Sequence, residues 1–504
     1  MLKIPDSILI VGGGTAGWMA ANLFLHRWPS TKITLIESAD IGTVGVGEGA
    51  TPYLKQYFRQ LNIAESEWMP ACDATYKVGI SFENWSTVAG YEQYFHPFFS
   101  VLDKPPAELF FHNCGLRRRG WRAPALPNDY FVNAELARRR LSPVSDKQDI
   151  DYAYHFDANK LGHFLRDKAK QQGLLHIVDN VAEVIVDQQG KISAVQSDKT
   201  GLLKAELYID CSGFSGLLIH KALKQAYVSY ADNLFNDAAV AIQTPLNLVQ
   251  PHSPQTHSIA LSNGWMWQIP LTTRTGNGYV YSRGFISPDQ AETELRQALQ
   301  ISENADVKVK HLTMRIGRLE SHWAKNCLAL GLSQGFIEPL EATALMLTQL
   351  SIEQFIQCHE GQSDNEIEQQ ADFNREINRV FDGVRDYIVA HYKLNSRIDS
   401  DYWRENAANK NVPASLANIV DAWDKGLDVE QVLNQEKQQL VYLRPSWYCI
   451  LAGMGRFPTE LQSTEKAAPV TQATEYCQKV ATQYFTFAIC SLICSINTFN
   501  STAD

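Results

Sequence analysis

Nine cysteines are spread over this 504-residue chain, and none falls in a CxxC pair. That absence excludes a thioredoxin-type redox pair and the zinc ribbons built on the same spacing, so no metal is expected. An odd number of scattered cysteines fits reduced thiols and a cytoplasmic setting. Basic charge is also in short supply: 45 Lys and Arg stand against 55 Asp and Glu, a net charge of −10. The chain therefore has no general pull on nucleic acid or anionic lipid, and neither is an expected partner. A local basic run, Arg117-Arg118-Arg119 with Arg122, reads as a solvated turn. Long apolar runs are missing too. Ile8 to Val11 passes straight into a glycine turn, unlike a signal peptide. Phe485 to Ile496 is too short to span a bilayer and contains Ser491 and Ser495, so a packed terminal helix or a subunit contact is expected there. Internal repeats and low-complexity linkers are absent.

What is present is ordinary globular composition, 45% hydrophobic and 20% charged. This length suits two intertwined domains or one large α/β body with additions. The opening segment is the most informative. Ser7 to Val11 reads as a buried strand, Gly12-x-Gly14-x-x-Gly17 follows, and Thr15 to Arg27 reads as a helix. Lys32 to Ile36 is a second strand ending at Glu37. In such a unit Gly12 permits the tight turn, Gly14 lets the backbone approach a pyrophosphate, and Gly17 lets helix and strand pack closely. The free N–H groups of Thr15 and Ala16 at the helix start suit a phosphate. Glu37 is placed to bind a ribose hydroxyl pair, although acids also end strands for solubility.

Two further segments favour FAD over NAD. Residues 42–52 form a glycine-dense loop containing Val46, Gly47 and Glu48, suited to wrapping a bulky flavin ring. Leu207 to Gly216 reads as a strand entering a small-residue turn, with Asp210 placed either to contact the nucleotide or to cap the turn. Farther on, Gly264-Trp265-Met266-Trp267-Gln268-Ile269-Pro270 alternates as a strand, and Arg274 to Arg283, with Gly276 and Gly278, reads as a hairpin. No second phosphate-binding glycine motif is evident, which argues against an NAD(P)H-dependent oxidase and for a separate source of reduced flavin.

Taken together, the opening glycines, Gly45-Val46-Gly47-Glu48, Lys77, Tyr152 to Asp157, Asp210 to Phe214, Trp265-x-Trp267-x-Ile269-Pro270 and Gly335 to Glu341 resemble the flavin-dependent tryptophan halogenase family. The resemblance runs from Ile8 to about Pro458. It implies an α/β fold of the FAD-binding monooxygenase type, with a core over residues 1–350, substrate-site segments around 77–125, and a mostly helical region over 351–504 completing the substrate site. It also implies reduced FAD supplied by a separate reductase, a chloride or bromide ion as co-substrate, and hypohalous acid that reaches a lysine beside an electron-rich arene. Gly335 and Leu340 would join the flavin contacts.

On the same resemblance Lys77 is that lysine, a role that burial would favour by lowering its pKa. Glu341 is the assisting carboxylate, although an acid near a helix start also suits the helix dipole. Trp265, Trp267, Ile269 and Pro270 would wall the flavin from the substrate. Thr343 and Ala344 would hold the halide through backbone N–H groups. The family typically reads Glu-Ser-Thr-Gly there, whereas this chain reads Glu341-Ala342-Thr343-Ala344. His96 and Phe98 would stack an indole, with Trp447 on its opposing face. The paired tyrosines that hold the amino-acid head of free tryptophan in the family have no counterpart in Leu440 to Tyr448, which weakens free tryptophan as the substrate. A free indole, another arene or a carrier-bound substrate remains open. The expected activity is halogenation of an indole-like arene; the rivals are an oxygen-inserting flavin monooxygenase and a silent flavin-binding protein. Residues 350–440 read as polar helices that cap the site and support a homodimer contact.

Overall fold

The computed structural model describes residues 2–40, 42, 45, 47–143, 150–246, 252–463 and 467–486. The chain opens as its alternation dictates. Strand Ser7–Val11 turns Ile8 and Ile10 to one face and Leu9 and Val11 to the other, and each pair joins a different buried cluster. Helix Thr15–Arg27 covers the first face with Trp18, Met19, Leu23 and Phe24, all buried. A six-stranded sheet results. Its order is Trp323–Ala324, Cys327–Ala329, Leu207–Asp210, Ser7–Val11, Lys32–Glu37 and Leu175–Val178, and all pairs but the first are parallel.

A second sheet has seven strands, in the order Val309–Thr313, Ala238–Pro245, Arg274–Tyr281, Gly264–Pro270, Thr256–Leu261, Gly79–Glu83 and Gln93–Pro97. Along Gly264–Pro270 the side chains of Trp265, Trp267 and Ile269 join the main core, while Met266 faces a smaller cluster covered by helix Pro288–Ala298. Residues 274–283 do not make a hairpin of their own. Arg274–Tyr281 is one strand, antiparallel to Gly264–Pro270, and Gly278 lies inside it because its neighbour leaves no room for a side chain. At Gly278 a Cβ would lie 2.1 Å from the Trp267 ring.

From Ala344 to Ala481 the described secondary structure is helical. The longest helix, Glu366–Leu394, carries an apolar stripe through Phe373, Ile377, Val380, Val384, Tyr387 and His391 that packs into the main core. The expected terminal helix is not seen at its start: Phe485–Thr486 is a strand paired with Leu141–Ser142, and the rest of that segment lies outside the described residues. No helix among the described residues is long and apolar enough to cross a membrane.

Candidate active site

A nucleotide cradle forms where the first strand ends. Gly12 has φ +113°, and a Cβ there would lie 2.1 Å from the Cys211 carbonyl oxygen. At Gly17 a Cβ would lie 2.0 Å from the Gly12 carbonyl. Glycine is thus required at both positions, to turn the chain and to seat the helix on it. Gly14, by contrast, faces open space, and no side chain caps helix Thr15–Arg27, so the N–H groups at Thr15 and Ala16 stand ready for an anion. Glu37 reaches across Gly13, and its Oε1 stands 2.8 Å from His176 Nε2. These residues fit the pyrophosphate and ribose of a dinucleotide. Gly47, at φ +97°, packs on Gly276, and Glu48 accepts a hydrogen bond from the Ala158 N–H at 3.1 Å. Val46 lies outside the described residues.

Three further residues expected at the flavin, Asp210, Gly335 and Leu340, also serve the fold. The Asp210 carboxylate is fully buried and caps the following turn, accepting from the Ser212 N–H and hydroxyl and from the N–H groups of Leu218 and Ile219. Both oxygens are used in the fold, which is the turn-capping role the sequence offered. Gly335 sits in a strand pair where a Cβ would meet the Gly317 carbonyl at 2.7 Å, and Leu340 is buried.

A second cluster surrounds Lys77, at the end of strand Thr75–Lys77, which pairs with Ala153–Phe156. Lys77 is 1% exposed, and its Nζ donates to the Ala50 carbonyl at 3.3 Å and lies 5.5 Å from the centre of the Phe98 ring. Burial lowers its pKa to about 8, with the negative charge of Glu341 pulling the other way. A Cβ added at Gly49 would stand 3.2 Å from this Nζ and 3.6 Å from the Ala342 Cβ, so lysine and Ala342 line the same small space. On the same face of the strand pair, both His155 nitrogens meet threonine hydroxyls, Thr75 at 3.2 Å and Thr256 at 2.8 Å. Burial and the Lys77 charge keep His155 neutral, so it adds no competing cation.

Glu341 ends the short turn Pro339–Glu341 and is buried. Its Oε1 lies 2.9 Å from His391 Nε2, and its Oε2 lies 3.4 Å from His96 Nδ1. Burial alone would raise this carboxyl; the two imidazoles overcome that and hold it at about 2. Burial also keeps His391 neutral. An ionised carboxylate only accepts, so His391 donates from Nε2, and its Nδ1 is left to accept from the Tyr94 hydroxyl at 3.4 Å. Next in the chain, Ala342 is left-handed (φ 56°, ψ 38°), Thr343 stands at the N-cap of helix Ala344–Glu360, and Ala344 is exposed at its first turn. Thr343 makes no side-chain cap, so the backbone N–H groups there are open to an anion.

Aromatic rings complete the cluster. His96 and Trp447 both touch Tyr387, with ring centres 5.9 and 5.0 Å away, and Tyr387 is stacked at 3.7 Å on Tyr442. Trp265 and Trp267 lie side by side with centres 6.2 Å apart. Strand Gly264–Pro270 is tied to strand Thr75–Lys77 where the Thr75 hydroxyl donates to the Pro270 carbonyl at 2.6 Å. His391 and Tyr387 are functional candidates the motif reading missed, and Glu338, within the Gly335 to Glu341 motif, was given no chemical role there. His391 and Tyr387 were visible as the last members of an apolar stripe, four residues apart on one helix face.

Comparison with known proteins gives a consistent result. The tryptophan halogenase family profile matches residues 7–470. The chain is 39% identical over 478 residues to the 7-chloro-L-tryptophan 6-halogenase KtzR of Kutzneria sp. (strain 744), covering 90% of this chain and 91% of that protein. The crystal structure of the tryptophan 6-halogenase SttH from Streptomyces toxytricini superposes with a TM-score of 0.82 at 33% identity, over 96% of this chain and 99% of that one. BrvH, a flavin-dependent halogenase from Brevundimonas sp. BAL3, gives 0.83 at 29% identity, over 97% and 99%.

Proposed function

The chain belongs to the flavin-dependent tryptophan halogenase family, and from that membership we propose that it halogenates an indole through Lys77 and Glu341. The observation that carries this reading is the convergence on one buried space of Lys77, brought by an early strand, and Ala342 beside Glu341, brought by a late turn. When bound, reduced FAD with oxygen supplies the oxidising power that turns chloride or bromide into hypohalous acid. Gly12, Gly14, Thr15, Ala16, Gly17 and Glu37 hold its pyrophosphate and ribose. The open N–H groups at Thr343 and Ala344 hold the halide. Trp265, Trp267, Ile269 and Pro270 keep the arene from the flavin. Lys77, drawn toward neutrality by burial, receives the oxidised halogen at Nζ or hydrogen-bonds to it. Glu341, held ionised, polarises that species or takes the proton leaving the ring. His96, Phe98 and Trp447 hold the arene by their faces.

A separate reductase supplies reduced FAD, and residues 351–504 complete the substrate site of the core formed by 1–350. The test is mass spectrometry of products from the protein with FAD, a flavin reductase, NADH, oxygen and chloride or bromide, over a panel of indoles and tryptophan. A halogen isotope pattern that appears with the wild type and disappears in Lys77→Ala, with FAD binding retained, is the expected result. Retained regioselective halogenation in Lys77→Ala removes the lysine from the mechanism. A plain oxygen adduct replaces the halogenase reading with a monooxygenase.

A further inference from the structure

Glu338 is fully buried, three residues before Glu341 in the same turn. One of its oxygens, Oε2, takes three donors. These are the Trp265 indole N–H at 3.1 Å, the Asn236 amide at 2.9 Å and the Tyr392 hydroxyl. Asn236 is itself fixed, its amide oxygen accepting from Tyr402 at 2.9 Å. The other oxygen, Oε1, is buried with no hydrogen-bond partner among the described residues. Burial raises the pKa of this carboxyl against the pull of its donors. Holding such a group is costly, and apolar packing alone would be cheaper.

The two wall tryptophans are held differently. Trp267 lies flat on Gly278, where packing alone fixes it, and its indole N–H has no partner among the described residues. Trp265 has no such glycine seat; its polar edge ends on Glu338. We propose that Glu338 is a positioning residue that pins the Trp265 ring and thereby couples the flavin–substrate wall to the turn that presents Glu341. This rests on the wall reading given above. A carboxylate suits the task because one oxygen gathers donors from the wall strand, from Asn236 and from helix Glu366–Leu394 at a single point.

The experiment compares Glu338→Gln and Glu338→Leu in the full chain with FAD bound. Gln keeps an oxygen acceptor for the three donors; Leu keeps the volume and removes the acceptor. The first readout is the ¹⁵N-indole resonance of Trp265, assigned by its loss in Trp265→Phe. It is expected to stay put in Gln and to move upfield with faster hydrogen exchange in Leu. The second readout is halogenated product per NADH consumed, with the lost turnovers appearing as hydrogen peroxide. Leu is expected to lower it about tenfold while FAD affinity is unchanged, and Gln is expected to retain it. An unmoved Trp265 resonance in Leu, or unchanged coupling, overturns the proposal. Should Leu fail to fold, Trp265→Phe carries the test, since it removes the N–H donor while keeping an aromatic six-membered ring at the position. Coupling is then expected to fall by a similar factor, and unchanged coupling overturns the proposal. If the wild type yields no halogenated product, the functional reading fails, and the indole resonance still decides whether Glu338 holds Trp265.

Discussion

Lys77 carries an amine into a place that disfavours its charge. Below pH 8 the folded protein holds it as an ammonium, whereas the unfolded chain keeps it charged at no cost up to its ordinary pKa of 10.5. The penalty is about 3 kcal/mol, is full below 8, shrinks as pH rises from there and vanishes above 10.5. Lys77→Met is therefore expected to unfold at higher urea than wild type at neutral pH, by about 2 kcal/mol, with the gap closing toward pH 10. A variant no more stable at neutral pH would mean that water reaches the amine. Ala342 bears a different strain. A left-handed conformation costs a residue with a Cβ about 1–2 kcal/mol, and glycine returns part of that gain as unfolded-state entropy. Ala342→Gly is expected to raise stability by roughly 0.5–1 kcal/mol in equilibrium unfolding. The sequence departs from the family at Ala342, where the family has serine, and at Ala344, where it has glycine. The Ala344 backbone is helical, so alanine is at ease there, and the strain sits two residues earlier. Sequence alone could not place it, because Glu-Ala-Thr-Ala does not reveal which residue turns left-handed.

At the scale of elements, motif-bearing strands and the opening helix were legible because their periods are short and their glycines are forced by contact. Ser7–Val11, Thr15–Arg27 and Lys32–Glu37 fall where alternation and the glycine turn put them. Asp210 showed the limit of that reading. A carboxylate at a strand end serves a nucleotide or a turn, and only the folded chain shows that it accepts from the Leu218 and Ile219 N–H groups. Helix Glu366–Leu394 was read as polar because its exposed face dominates its composition, yet its buried stripe delivers Tyr387 and His391 to the site. His391 lies stacked on Phe82 at 4.6 Å and gives Glu341 one of its two imidazole contacts. His391→Phe keeps a ring on Phe82 and removes the donor. Glu341 then loses part of what holds it at about 2, so its pKa rises. On the proposed role, in which the ionised form of Glu341 acts, the acid limb of the halogenation rate is expected to shift to higher pH, with a rate loss of about tenfold at neutral pH. Initial rates measured from neutral pH downward check this; an unchanged limb would leave His96 as the partner that matters.

Across the whole molecule, the flavin cradle and the helical region share one core, although the sequence suggested a division near residue 350. A single buried cluster runs from Ile8 to Tyr484. Phe82 of the seven-stranded sheet stacks on Tyr94 at 4.9 Å as well as on His391, and Trp85 meets Trp403 at 5.2 Å. Removing everything after residue 350 would strip these rings, and with them Trp265, Tyr94 and Glu341, of the side chains that cover them. Each large apolar side chain left exposed costs about 1.5–3 kcal/mol, against a total stability of roughly 5–15 kcal/mol for a folded domain. A handful of such exposures exceeds that margin. A chain ending at residue 350 is therefore expected to remain unfolded or aggregate, with no FAD retained on gel filtration, even though every nucleotide-cradle residue is present. If it instead folds and binds FAD with wild-type affinity, the cradle is an autonomous unit and the shared core contributes only to the substrate side. The expected failure would mean that Glu341, tethered on one side to helix Glu366–Leu394 through His391 and on the other to the wall strand through the turn that begins at Glu338, is set in place by the same packing that folds the chain.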